Sequence, residues 1–196
     1  MKKLIFVFAM LASIYSITSC SSLPEEPTTD EYSRDVEKFS AGDAQYEGAY
    51  NNFDYRVTVM SEQMQRIYIN KKAEMYLWSD EKKLAELKSL QTNNGERSQL
   101  FLSFFTPSRS DDNLSSSKSI WAVYLQNGNA RYEGRVTKNR SSRTELNVLY
   151  PYHGRFASAY SVDFPVSVNQ LDMQNLKVTI TGPLGTKSVE FSKANH

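Results

Sequence analysis

In Phe53-Asp54-Tyr55-Arg56-Val57-Thr58-Val59 every odd position is apolar and every even position polar. Successive side chains of a strand point to opposite faces, so this run buries its apolar residues together only as a half-buried β-strand. Similar short runs dominate the rest of the chain. Leu100-Phe101-Leu102-Ser103-Phe104-Phe105 reads as an aromatic strand stopped by Pro107, followed by a polar loop from 108 to 119. Residues 120–126 and 130–137 flank Asn127-Gly128-Asn129, a hairpin turn signal. Further strands are expected at 144–150, 157–168, 175–181 and 187–192, with Pro183-Leu184-Gly185 separating the last two.

Two helices interrupt the pattern early. Ser61 can cap one that carries Met64, Ile67, Tyr68, Met75 and Trp78, although Arg66-Ile67-Tyr68-Ile69 would also suit a strand. Ser79 opens the other, with Asp80 and Glu81 in its first turn and Asn93-Asn94-Gly95 at its end. Seven or eight short strands with two inserted helices predict a mainly β fold, an antiparallel β-sandwich of immunoglobulin-like or C2-like appearance. A chain of 196 residues, 40% hydrophobic, supplies one ordinary core, placed here over residues 46–196.

The N-terminus follows other rules. Met1, Lys2 and Lys3 precede an apolar stretch from Leu4 to Ile17, and Ile17-Thr18-Ser19-Cys20 closes it. As a helix those 14 residues reach about 21 Å, short of the roughly 30 Å of bilayer hydrocarbon. The segment resembles a bacterial lipoprotein signal peptide, in which small residues precede the cysteine that becomes the mature N-terminus. The resemblance implies removal of residues 1–19, with diacylglycerol and an N-acyl chain on Cys20, and it implies stable anchoring, because one acyl chain alone binds only marginally. Under this resemblance Ser21, rather than Asp, after Cys20 implies sorting to the outer membrane, and the domain is expected to face the periplasm, the cell surface being the alternative. Residues 20–45 hold Pro24 and Pro27 and seven acids against Arg34 and Lys38, and read as a lipidated, flexible acidic spacer.

Charge and motifs exclude much. Lys and Arg number 23 against 22 acids, and loss of Lys2 and Lys3 with the signal leaves 21 against 22, so nucleic acid is not an expected partner. One cysteine and two histidines are too few for a structural zinc site of the usual Cys/His kind, and a lone cysteine has no partner for an internal disulfide. No phosphate loop, HExxH or GxSxG occurs. His153 is the one histidine to which a hydrolase could be tied, and its plainer reading is a loop side chain bonded to a nearby carbonyl. Asp111 and Asp112, in a Ser-rich loop, could donate oxygens to calcium only if a second loop converged on them, so calcium is not expected. Glu133 and Glu145 could face each other across strands, but neighbouring arginines favour surface ion pairing.

One patch combines bases and aromatics. Arg131, Arg135 and Arg143 lie near the Tyr150-Pro151-Tyr152-His153-Gly154-Arg155 loop, and with Tyr152 and Arg155 they could stack on sugar rings or contact anionic groups. Arginines that keep a sheet face soluble are the plainer alternative. The expectation is a lipid-anchored envelope protein that acts as a binding or envelope-organising module, partnered by membrane lipid through Cys20 and by an envelope protein or polysaccharide. An envelope hydrolase and a calcium-responsive sandwich are the alternatives.

Overall fold

The computed structural model describes residues 30–173 and 175–191. The signal segment, Cys20 and the first part of the expected spacer lie outside them. The elements run α1 (Glu31–Lys38), β1 (Ser40–Glu47), β2 (Tyr50–Val59), α2 (Glu62–Tyr76), α3 (Asp80–Asn93), β3 (Ser98–Phe105), β4 (Ala122–Asn127), β5 (Ala130–Glu133), β6 (Arg135–Lys138), α4 (Arg143–Leu149), β7 (Ser158–Phe164), β8 (Leu176–Gly182) and β9 (Gly185–Phe191). The fold is mainly β. A five-stranded sheet, β1-β2-β3-β7-β6, and a four-stranded sheet, β5-β4-β8-β9, are antiparallel throughout.

The alternation of β2 does what its period demands. Phe53, Tyr55, Val57 and Val59 point inward with Leu100, Leu102 and Phe104 of β3, against Val123, Leu125, Val178 and Ile180 of the smaller sheet. Trp121 meets Phe53 edge-on, with ring centres 4.9 Å apart. The sheets also meet at their seams. On one side β5 runs into β6 through Gly134 and changes sheet, and a Cβ there would lie 2.4 Å from Val162 Cγ1 and 2.7 Å from the Phe164 ring. On the other, Asp43 of β1 pairs with Lys187 of β9 at 3.3 Å.

Helices cover the outer face of the larger sheet. Leu146 and Leu149 of α4, with Tyr150, pack on Phe101 and Ala159, and Tyr150 lies flat on Phe101 with centroids 3.5 Å apart. Val36, Phe39, Met60 and Met64 form a second cluster beside them.

Three expectations are corrected. The strand expected at 144–150 is instead the helix α4 (Arg143–Leu149), because Ser142 accepts from the Glu145 amide at 3.2 Å and Leu146 and Leu149 share one helix face. Residues 31–45, expected as part of the spacer, belong to the folded domain. Asp30 caps α1 by accepting from the Ser33 amide at 2.7 Å, Val36 and Phe39 are buried, and β1 pairs with β2 along its length. The strand expected at 130–137 is two, divided between sheets at Gly134.

Helix α2 ends in an unusual way. The Trp78 amide donates to the Ala73 carbonyl at 2.9 Å and the Leu77 amide to Glu74 at 3.3 Å, a helix-ending turn whose central residue takes left-handed backbone angles. Glycine normally fills that place; here it is Leu77, at φ 50° and 90% exposed. Holding an L-residue there costs about 1–2 kcal/mol. Helix α3 follows, packed on α2, with none of its residues fully buried.

Candidate functional site

A depression of about 750 Å³ lies on the outer face of the five-stranded sheet. Its floor comes from outward-pointing positions: Gly42 and Ala44 of β1, Asp54 and Arg56 of β2, Ser103 and Phe105 of β3. Gly42, Arg56, Ser103 and Ala159 are consecutive register partners across four strands, so they form one row. Small residues on β1 leave space above the sheet. The loop from Tyr152 to Ala157 walls it, with Phe156 69% exposed at the lip.

A hydroxyl chain fixes the inner wall. Ser40 Oγ donates to the Val36 carbonyl at 2.7 Å and meets Thr58 Oγ1 at 2.6 Å, and Thr58 Oγ1 meets the Tyr152 hydroxyl. Each hydroxyl has one hydrogen, so Thr58 donates to Ser40 and Tyr152 to Thr58. Burial holds the Tyr152 phenol above its ordinary pKa, and Thr58, Ser40 and Arg56 counter it only in part. The ring is therefore a neutral donor with a fixed plane, and the Arg56 guanidinium stands 4.9 Å over it. Arg56 Nη2 donates to Glu37 at 3.2 Å, while its buried Nε–H has no hydrogen-bond partner among the described residues. Arg155 lies 4.6 Å over the Phe156 ring, and Asp54 accepts from Asn51 Nδ2 at 2.9 Å.

His153 sits behind this wall. Its Nδ1 is 2.8 Å from Ser103 Oγ, not on a carbonyl, and its ring meets Phe101 edge-on at 5.8 Å. Burial first, then the Arg143 and Lys138 charges, lower its pKa. In a hydrolytic triad the serine engages Nε2 and a carboxylate orients Nδ1. Here the serine occupies Nδ1, and among the described residues no carboxylate bonds the ring.

The structure disperses the rest of the expected patch. Tyr152 and Arg155 share the groove, but Arg131 is on the smaller sheet, 3.8 Å over the Tyr124 ring. Arg135 is on β6 opposite Asp163, and Arg143 opens α4. Glu145 pairs with Lys72 at 3.1 Å rather than facing Glu133. Asp112 serves the fold: its two carboxylate oxygens accept from Ser158 Oγ and, at 2.7 Å, from the Tyr160 hydroxyl. The Asp111 carbonyl accepts from Trp121 Nε1 at 2.6 Å. Among the described residues no three His, Cys, Asp or Glu side chains gather as a metal site, and no helix is long and apolar enough to cross a membrane. Arg56 and Phe156 complete the groove and were not singled out in the sequence. The outward setting of Arg56 follows from the alternation of β2, whereas nothing in the local pattern marks Phe156.

No protein-family model and no curated protein matches the sequence. Among solved structures, a protein of unknown function from Burkholderia pseudomallei is similar at TM-score 0.43 and 11% identity, over 79% of this chain and 78% of that one. A structure described as "a putative lipoprotein" from Staphylococcus aureus is similar at TM-score 0.27 and 10% identity, over 78% of this chain and 95% of that one.

Proposed function

We propose that the protein is a lipid-anchored binding module of the bacterial envelope, held by Cys20 at the outer membrane and facing the periplasm, whose groove takes a short saccharide segment of an envelope polymer. The groove carries this reading: one open depression combines an exposed ring at its lip, a second ring of fixed plane, and both donors and an acceptor on its floor. Sugar rings offer C–H faces to aromatics and vicinal hydroxyls to planar side chains, and Arg56, Arg155, Asp54 and Ser103 supply both halves of that hydrogen bonding. A volume of about 750 Å³ is suited to a small ligand. The tether is supported by the Ile17-Thr18-Ser19-Cys20 sequence.

The test is calorimetric titration with oligosaccharides released from peptidoglycan and lipopolysaccharide. Phe156→Ala and Arg155→Ala, both at exposed positions, should leave the melting transition in place and weaken binding about tenfold, as expected when a contact of about 1.4 kcal/mol is lost. Equal affinity in both variants, or no binding by the unaltered chain, would overturn the assignment.

A further inference from the structure

We infer that the turn joining α2 to α3 is a second membrane contact, in which Leu77 enters the bilayer that holds the lipid anchor. The inference rests on the tether proposed above, and the juxtaposition behind it is visible in the fold. Asp30, the first described residue, borders the same shallow cavity as Asn70 and Lys71 of α2, and Lys71 Nζ stands 5.4 Å over the Tyr32 ring. Only nine residues lie between Cys20 and Asp30, so the ten steps from one to the other span at most about 35 Å fully extended. From Lys71 the helix runs six residues to Leu77, about 9 Å along its axis. The turn therefore projects near the point where the tether enters, within reach of the tether's own membrane.

The chemistry of the turn suits a lipid interface. Leu77 is 90% exposed and Tyr76 49%. Tyr76 and Trp78 stack with centroids 6.1 Å apart, and such rings, apolar with a polar edge, favour the headgroup level of a bilayer. Lys82 lies 4.7 Å over the Trp78 ring, with a stem that can reach along apolar surface while the ammonium stays wet, and Lys72, held by Glu145, lies 5.8 Å from the same ring. Asp80 and Glu81 share the first turn of α3, so the charge at the turn is balanced and the contact rests on Leu77 and the rings. A left-handed leucine breaks a local preference without burying anything within the domain, and strain of this kind accompanies sites selected for contact.

The test uses residues 20–196 with Cys20→Ser. This span contains every described element, and without the acyl acceptor whatever binds is bound by the domain. The probe is vesicles of phosphatidylethanolamine with one quarter phosphatidylglycerol, read by flotation and by Trp78 emission; Trp121 is 7% exposed and serves as the silent background. Partitioning weaker than the roughly 10⁴ M⁻¹ of a myristoyl chain is expected, so lipid is taken to millimolar concentration. Trp78 emission should shift to the blue, with little dependence on salt. Leu77→Gly should melt at or slightly above the unaltered domain yet bind about tenfold more weakly, whereas Leu77→Phe should retain binding. Absence of partitioning at every lipid concentration, or equal partitioning of Leu77→Gly, would overturn the inference and leave a protein partner as the occupant. Acyl labelling of the precursor, abolished by Cys20→Ala, reads the tether separately, so the two readings fail independently.

Discussion

His153 shows how one buried side chain couples the fold to acidity. Its pKa lies below the ordinary 6.5 because burial and the nearby Arg143 and Lys138 charges disfavour the imidazolium. The unfolded chain therefore takes up a proton first as pH falls, and the stability present above about pH 6.5 is lost as pH drops toward the lowered folded value. Denaturant unfolding at pH 7.5 and 5.5 should show a smaller free energy at the lower pH, and His153→Gln should flatten that difference. At pH 7.5 the same variant should cost about 1–3 kcal/mol if Ser103 is left without its partner. An unchanged pH slope in the variant would show that other groups carry the dependence. Asp30, whose pKa is lowered mainly by the Ser33 hydrogen bond, acts in a separate window below the carboxylate range.

Among the elements, Gly134 separates one long run of sequence into two strands of different sheets. Gly134→Ala should destabilise the domain by about 1–3 kcal/mol, measured by thermal melting, because the added methyl meets a branched side chain and a ring that are themselves buried. A neutral result would mean that the corner opens freely. This corner also shows what the sequence made legible. Inward and outward positions of β2 and β3 followed from period alone, and Ser61 and Ser79 do cap α2 and α3. The change of sheet did not, since a strand pattern records which side is apolar and not which sheet supplies the neighbour. The apolar positions of residues 144–150 suit a strand, although Ser142-Arg143-Thr144-Glu145 carries the spacing of a helix-capping box. β1 carries no strand signal because Ser40-Ala41-Gly42-Asp43-Ala44 lacks the bulk of a buried strand, and that lack of bulk is what leaves room for the groove. Hence Tyr152 and Arg155 are legible in the sequence and the opposite side of their site is not.

At the scale of the molecule, α1 and β1 belong to the folded unit. A chain beginning at residue 49 would expose the edge of β2 and uncover Met60 and Met64, which Val36 and Phe39 shield. Such a truncation should lose its cooperative melting transition, whereas a chain beginning at residue 28 should keep it; equal melting of the two would place the domain boundary after β1. The two seams have a further consequence. The outermost strands of the larger sheet, β1 and β6, lie at β9 and β5 of the smaller one, through the Asp43–Lys187 pair on one side and the continuous chain at Gly134 on the other. Exposed strand edges are the usual templates on which one chain recruits the next. A molecule confined to a surface, as the proposed anchor would confine this one, meets its copies far more often than one free in three dimensions, and a sandwich whose edges are turned toward each other would resist polymerising under that crowding.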